Sequence, residues 1–221
     1  MTRVKICGVT TLDDALYCAE AGADLLGLNF YPPSPRYLAP EKARALVARL
    51  RGILGTACPL LVGVFVNESA AAIGRILDEI GLDAAQLSGD EPPETVAALN
   101  GRAFKALRPR DAAETGEAAR SFAAHTPRDE RIPALLVDAY HPQLYGGTGE
   151  TAGEDVARAV IAVVPRVMLA GGLTPDNVAQ RVQAVRPWGV DVASGVERAP
   201  GVKDFERVRA FIAAVKSADQ E

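Results

Sequence analysis

The sequence predicts an α/β fold, a single (β/α)₈ or TIM barrel that takes up residues 1–221 as one domain. Three observations predict it. Short apolar runs rich in β-branched residues alternate with Ala-rich segments of helical periodicity, the pattern of βαβ units and a parallel sheet. The alternation occurs eight times at roughly 27 residues per unit, close to the minimum for such a unit. Neither a shift in composition nor a linker divides the chain into halves.

The predicted strands are short apolar runs bounded by turn signals. The first, RVKIC, alternates apolar and polar side chains, whereas the fourth, DAAQL, is short and Ala-rich. The segment 139–152 follows the sixth strand, shows neither period and is predicted to be a loop. In chain order, the eight strands are 3–7, 24–30, 60–66, 83–87, 102–107, 134–138, 166–170 and 190–194.

Helix start signals precede several of the Ala-rich segments. Thr11 and Ser69 stand ahead of two of them, and prolines open those at 40, 92 and 175. An open doubly wound sheet is the alternative fold, but the sequence lacks the GxGxxG that typically follows the first strand of such a sheet. In chain order, the predicted helices are 11–21, 40–50, 69–80, 92–99, 111–123, 153–163, 175–185 and 203–215.

Composition and charge exclude several classes of protein. The net charge is −4 and the arginines are scattered, which argues against nucleic acid or an anionic membrane as a partner. Three cysteines without CxxC spacing suit a reducing cytosol better than a disulfide framework or a zinc site. No signal-peptide pattern and no long apolar run is present, so we expect a cytoplasmic protein that is neither secreted nor membrane-spanning.

Small residues follow the last strands of the predicted barrel, where its ligands bind. In this fold the chemistry lies in the loops at the C-terminal ends of the strands, and the loops after strands 7 and 8 often bind phosphate. Gly171-Gly172 and Ser194-Gly195 occupy these two loops, and GGTG at 146–149 adds a third side. They predict backbone N–H groups facing a phosphate. The alternative is that each glycine only closes a tight turn.

Two side chains at strand ends are candidates for acid and base chemistry. Asp138 closes the apolar run ALLVD, and partial shielding from water would raise its pKa as a general acid requires. Its alternative role is a helix cap or salt bridge. Cys7 ends strand 1 beside Gly8, and Lys5 lies on the same face of that strand. A nearby cation favours the thiolate, which acts as a base. Alternatively, Lys5 pairs with a carboxylate inside the barrel.

Arg36 follows Pro-Pro-Ser-Pro in the loop after strand 2. Prolines stiffen that loop, and a pre-positioned guanidinium suits a carboxylate ligand. A solvated surface arginine is the alternative. His125 and His141 show no metal-ligand spacing, and Cys18 and Cys58 are predicted to be structural, so these four residues receive no role.

The chain resembles the phosphoribosylanthranilate isomerases of tryptophan biosynthesis over nearly its whole length. The resemblance rests on KICG, FYPPSPRY, VGVFVN, QLSGDE, LLVDA, GGTG, LAGGLTPDNV, GVDVASGVE and PGVKD, in the family's order and spacing. It implies a (β/α)₈ barrel that performs an Amadori rearrangement, converting N-(5′-phosphoribosyl)anthranilate to 1-(o-carboxyphenylamino)-1-deoxyribulose 5-phosphate. It also implies an isomerase that needs no metal or organic cofactor, takes a phosphorylated small molecule and is a monomer or homodimer.

The resemblance also implies roles for individual residues. Cys7 would be the general base and Asp138 the general acid, while Arg36 would hold the anthranilate carboxylate and Asp191 would orient the sugar or its surroundings. Its phosphate site would comprise Gly172, Ser194 and Gly195, flanked by Gly147 and Gly149.

At neutral pH a thiol and a carboxyl group with ordinary pKa values are in the wrong protonation states for a base and an acid. We therefore expect the pKa of Cys7 to be lowered and that of Asp138 to be raised. The chain departs from the family pattern at Ser88, where histidine is usual, and at ETAGED after GGTG, where an aromatic segment is usual. An isomerase or epimerase of another sugar phosphate and a non-catalytic phosphate-binding barrel are the rival functions.

Overall fold

Eight parallel strands form a closed barrel in which each strand pairs with the next and β8 pairs with β1. The structure is a computed structural model that describes residues 1–108, 112–138 and 151–220. The predicted (β/α)₈ barrel is therefore confirmed, and the open doubly wound sheet is wrong. The strands are β1 Arg3–Cys7, β2 Leu25–Asn29, β3 Leu60–Phe65, β4 Ala84–Leu87, β5 Ala103–Leu107, β6 Leu135–Asp138, β7 Val167–Ala170 and β8 Gly189–Val192.

A helix follows each strand of the barrel. Thr11 and Ser69 cap α1 and α3 as their sequence positions predict, because their side chains accept hydrogen bonds from the amides of Asp14 and Ala72. Among the described residues, no helix is long and apolar enough to cross a membrane. The helices are α1 Leu12–Ala21, α2 Pro40–Leu54, α3 Ala70–Ile80, α4 Pro93–Ala98, α5 Ala112–Ala123, α6 Thr151–Ile161, α7 Val178–Val185 and α8 Phe205–Ala218.

The main differences from the predicted elements lie at the end of α2 and between β7 and α8. Helix α2 runs four residues beyond its predicted end at 50, to Leu54. Helix α7 begins three residues later than predicted, at Val178, because Asn177 Oδ1 accepts the amide of Thr174 and closes a turn. Strand β8 ends at Val192, and a 3₁₀ turn over Ser194–Val196 follows it. A small antiparallel hairpin, β9 Glu197–Ala199 and β10 Val202–Lys203, then precedes α8. Its strands are too short to show a period in the sequence.

Alternation along the strands divides the core into two layers. Ile6, Leu26 and Val190 belong to the large cluster packed between the strands and the helices. Leu25 and Met168 belong to a smaller cluster inside the barrel. Because side chains alternate between the two faces of a strand, the residues next to the outer-layer positions point inward. Lys5, Cys7, Asp138 and Asp191 all occupy such inward positions.

Candidate active site

Lys5 and Asp191 form a buried ion pair inside the barrel, directly below Cys7. The two residues are partners in the β1–β8 register, and Lys5 Nζ lies 2.9 Å from Asp191 Oδ1. The Lys5 side chain is 0% exposed and that of Asp191 is 10% exposed. Burial opposes the positive charge of Lys5, but the Asp191 carboxylate and Cys7 together outweigh burial and raise the pKa of Lys5. The structure therefore confirms the alternative given in the sequence analysis, in which Lys5 pairs with a carboxylate inside the barrel.

Cys7 ends β1 with its thiol against the same ammonium group. Sγ of Cys7 and Nζ of Lys5 both lie close to Gly27 on β2, where a Cβ would be 2.8 Å from the sulfur and 3.1 Å from the nitrogen. Burial raises the pKa of Cys7, although Lys5 and Lys203 favour the thiolate. The predicted lowering of this pKa is therefore wrong for the protein without substrate. The reason is that Lys5 is shared with Asp191, so it does not offset the loss of water around the thiolate.

A cavity of about 240 Å³ opens at the ends of β6, β7 and β8. It brings together five of the residues that sequence reasoning selected: Asp138, Gly172, Asp191, Ser194 and Gly195. Asp138 is the last residue of β6, is half-buried and lies opposite Ala170 of β7 in the sheet register. Two carboxyl groups, those of Asp138 and Asp191, and the main chain of two glycine-containing loops therefore border the same space.

The two loops that border this cavity are in close contact. A Cβ at Gly195 would lie 1.9 Å from the carbonyl oxygen of Leu173, so only glycine fits there. Gly171 and Gly172 adopt φ of 102° and 63°, as φ-permissive residues can. Asn177 fixes the loop after β7 by donating from Nδ2 to the carbonyl of Gly172 at 3.0 Å. This contact was not foreseen from the sequence, where Asn177 lies within the predicted helix 175–185.

Arg36 lies over Gly8, next to the thiol-bearing residue. Gly8 has φ of 74°, and a Cβ there would lie 2.4 Å from Cδ of Arg36, so glycine is required for this approach. Glu197 binds the guanidinium with two hydrogen bonds, from Nε to Oε1 at 2.9 Å and from Nη2 to Oε2 at 2.6 Å. These hydrogen bonds raise the pKa of Arg36. Its side chain is 21% exposed, so the alternative of a solvated surface arginine is wrong.

Glu197 and Lys203 are site residues that the sequence analysis missed. They face each other across the β9–β10 hairpin, with Lys203 Nζ 2.9 Å from Glu197 Oε1. Lys203 Nζ also donates to the backbone carbonyl of Cys7 at 2.6 Å. The available signal was VERAPGVKD, in which Pro-Gly forms a turn between an acidic and a basic residue.

The wall after β4 contains the position at which the chain departs from the family pattern. Ser88 Oγ accepts a hydrogen bond from Gln86 Nε2 at 3.1 Å. Gln86 Oε1 is buried and has no hydrogen-bond partner among the described residues. Glu91 pairs with Lys105 at 2.6 Å and accepts the amide of Asn67. Glu91 therefore joins the loop after β4 both to β5, through Lys105, and to the loop after β3, through the amide of Asn67.

Residues 139–150, which form most of the predicted loop 139–152 and contain Gly147, Gly149 and His141, lie outside the described residues. Helix α6 begins at Thr151, two residues before its predicted start at 153. Within residues 1–108, 112–138 and 151–220, no group of three His, Cys, Asp or Glu side chains converges in a way that could hold a metal ion.

The paired carboxylate of Glu197 predicts a specific loss of stability in acid. Burial opposes its charge, but Arg36 and Lys203 outweigh burial and lower its pKa from the ordinary 4.5. The unfolded chain therefore binds this proton more readily than the folded protein does. The pairing stabilises the fold above about pH 4.5, and this contribution is lost as the pH falls through the lowered pKa.

We expect the urea midpoint to fall steeply below about pH 4.5 and the Glu197→Gln variant to show a shallower fall, since it lacks this titrating group. The measurement is urea unfolding over a pH series for both proteins. Equal slopes for the two proteins in acid would contradict the assignment.

A closed barrel with a polar cavity at its C-terminal mouth, beside β6, β7 and β8, is the architecture of a (β/α)₈-barrel enzyme. The family model described as N-(5′phosphoribosyl)anthranilate (PRA) isomerase matches residues 4–214. The chain belongs to the phosphoribosylanthranilate isomerase family.

Individual relatives agree with this assignment. The N-(5′-phosphoribosyl)anthranilate isomerase of Geobacter sulfurreducens is 46% identical, and the match covers 98% of this chain and 99% of that one. The crystal structure of phosphoribosyl anthranilate isomerase from Thermotoga maritima is 37% identical with a TM-score of 0.83, covering 98% and 100%. A structure of such an isomerase in complex with reduced 1-(o-carboxyphenylamino)-1-deoxyribulose 5-phosphate is 34% identical with a TM-score of 0.77, covering 98% and 100%.

Proposed function

We propose that this protein converts N-(5′-phosphoribosyl)anthranilate to 1-(o-carboxyphenylamino)-1-deoxyribulose 5-phosphate in the cytoplasmic synthesis of tryptophan. Its whole length, residues 1–221, acts as one catalytic domain, as a monomer or homodimer. The observation that supports this function best is the placement of Cys7, Asp138 and the glycine-lined cavity on the inner face of one barrel mouth. Family membership supports the same reaction.

Two side chains move the protons in the proposed reaction. Asp138 donates a proton to the furanose ring oxygen, the bond from that oxygen to C1′ breaks, and the open chain forms a Schiff base with the anthranilate nitrogen. The thiolate of Cys7 then removes the proton from C2′, and the electron pair of that bond yields an enolamine. Tautomerisation of the enolamine gives the ketone. The substrate and the product are isomers, so the protons exchanged with Asp138 and Cys7 balance over the reaction and one acid and one base suffice.

The remaining residues hold the substrate in place. The main chain of Gly172, Ser194 and Gly195 binds the phosphate, with Gly147 and Gly149 flanking it. Arg36 binds the anthranilate carboxylate.

Asp191 has two roles in this arrangement. It borders the cavity, where it orients the sugar, and its Oδ1 holds Lys5 beside the thiol. The sugar and the base are therefore positioned by the same carboxylate.

The test is to add N-(5′-phosphoribosyl)anthranilate to the purified protein and follow the loss of anthranilate fluorescence. Cys7→Ala and Asp138→Ala serve as matched controls, because each removes one proton-transfer group. We expect rapid conversion by the wild type and none above background by either variant. Failure of a well-folded wild-type protein to convert the substrate would contradict the proposal. Turnover of a phosphorylated pentulose that lacks a carboxylate would favour the rival sugar-phosphate isomerase, since such a substrate has no need of Arg36.

A further inference from the structure

The hairpin after β8 places a fully bonded carboxylate behind Arg36. Oε1 of Glu197 accepts from Arg36 Nε and Lys203 Nζ at 2.9 Å each and from the amide of Gly201 at 3.3 Å. Oε2 accepts from Arg36 Nη2. The Glu197 side chain is 4% exposed and that of Lys203 is 0% exposed. A carboxylate with this many partners has one orientation, so the guanidinium bound to it has one orientation too.

The hydrogen bonds to Glu197 use only one edge of the guanidinium. Arg36 has five N–H donors, of which Nε and one on Nη2 are engaged. No acceptor among the described residues meets the two donors of Nη1 or the second donor of Nη2. The free end of the group can therefore bind a second carboxylate with two parallel hydrogen bonds.

Charge points to the same kind of ligand. Arg36 and Lys203 carry two positive charges and share the single negative charge of Glu197. This cluster keeps one positive charge in excess, on the residue that is the more exposed of the two. Lys203 also binds the carbonyl of Cys7, so the guanidinium is tied through two side chains to the residue that removes the C2′ proton.

We propose that Glu197, held by Lys203, is a positioning residue that orients Arg36 and so makes the enzyme selective for a carboxylate on the aromatic ring of the substrate. This inference rests on the proposed function. Glu197 does not touch the substrate; it fixes the distance between the bound carboxylate and the reacting carbon. Orientation, rather than charge alone, sets the selectivity.

The test compares two ligands on the intact protein. One is reduced 1-(o-carboxyphenylamino)-1-deoxyribulose 5-phosphate, and the other is the matched phenylamino compound without the carboxylate. The measured quantity is the selectivity ratio, defined as the dissociation constant of the compound without the carboxylate divided by that of the compound with it. We expect the wild type to prefer the carboxylate, and both Glu197→Gln and Glu197→Asp to lower the ratio about tenfold or more, as loss of one well-aligned charged hydrogen bond does.

The two variants separate position from charge. Glu197→Gln keeps the reach of the side chain and removes its charge, whereas Glu197→Asp keeps the charge and shortens the reach by one methylene. If Glu197 only neutralised the cluster, the Gln variant would bind the carboxylate more tightly and the Asp variant would match the wild type. Either of those results overturns the proposal. Should the Gln variant not fold, the Asp variant still decides, because it retains the charge that pairs with Lys203.

Two further measurements exclude a general structural effect. Glu91→Gln is the matched control, since Glu91 is equally buried and paired with a lysine but does not contact Arg36. It should lower stability and leave the ligand ratio unchanged. In an Arg36→Met background, Glu197→Asp should not change the ratio further; an additional change would overturn the proposed route through Arg36. The same experiment distinguishes failure of the proposed function from failure of this inference. A wild type that does not turn over substrate would contradict the proposed function. An active wild type, with Glu197 variants whose ligand ratio equals that of the wild type, would contradict only the role of Glu197.

Discussion

Replacing Cys7 with alanine is expected to lower kcat by about 10²–10⁴-fold, the usual contribution of a general base. The thiol lies at the inner mouth of the barrel, and in the proposed reaction it takes the C2′ proton. The substitution removes one sulfur atom from a side chain that is 9% exposed, so the fold and the binding of the reduced product analogue should change little. Cys7→Ala should therefore lose turnover but keep its affinity for the reduced product analogue. Near-full activity in this variant would show that another group is the base.

The pH profile provides an independent check on the same residue. Because burial raises the pKa of Cys7 above the ordinary 9.0, only a small share of the free enzyme carries the thiolate at neutral pH. A base that must lose a proton before it acts gains activity as the pH rises. We expect kcat/KM to increase from about pH 7 towards pH 9. A profile that is flat over this range would mean that the thiol is not the titrating base.

Replacing Asp191 with asparagine should lower the free energy of unfolding by about 3–5 kcal/mol. The variant leaves the ammonium of Lys5 fully buried without its carboxylate, and an unpaired buried charge is costly. Urea unfolding at neutral pH gives the measurement. The same variant should lose activity, because Lys5 then no longer has a fixed position beside Cys7.

An exposed ion pair of similar length provides the matched control for this prediction. Glu79 lies 3.2 Å from Arg44, and both side chains are more than half exposed. Glu79→Gln should therefore change stability by less than about 1 kcal/mol. The burial argument fails if Asp191→Asn behaves like Glu79→Gln. A double variant, Lys5→Met with Asp191→Leu, should recover most of the lost stability while remaining inactive, because it replaces the buried pair with apolar side chains.

Local signals explain why so much of the fold could be predicted from the sequence. Capping by Thr11 and Ser69 depends on residues three positions away, and strand alternation assigns Lys5 and Cys7 to one face without further information. Gly172 and Gly195 could be selected as candidates because a βα loop that approaches a ligand or a neighbouring loop needs small residues, and both loops have such geometry in the structure. Such features depend on neighbours in the chain, so they are visible in the sequence.

The rest depends on contacts that the sequence does not reveal. Arg36 and Glu197 are separated by 161 positions, and the hairpin that presents Glu197 has strands of three and two residues. The pKa of Cys7 follows from how completely the closed barrel removes water from the thiol, which outweighs the nearby cation. The sequence analysis correctly predicted that Lys5 lowers the pKa of Cys7. That desolvation raises this pKa by more could be judged only from the packed structure.

The short hairpin β9–β10 also determines when the site can form during folding. Lys203 reaches back 196 positions to the carbonyl of Cys7, and Lys5 reaches forward 186 positions to Asp191. Contacts of such high sequence separation form only after the loop-closure entropy of nearly the whole chain has been overcome. A nascent chain that ends before residue 203 can build most of the strands and helices, yet Cys7 lacks its final anchor. Catalytic competence is therefore expected only once the hairpin after β8 has formed, in addition to the closure of the barrel by β8 and β1.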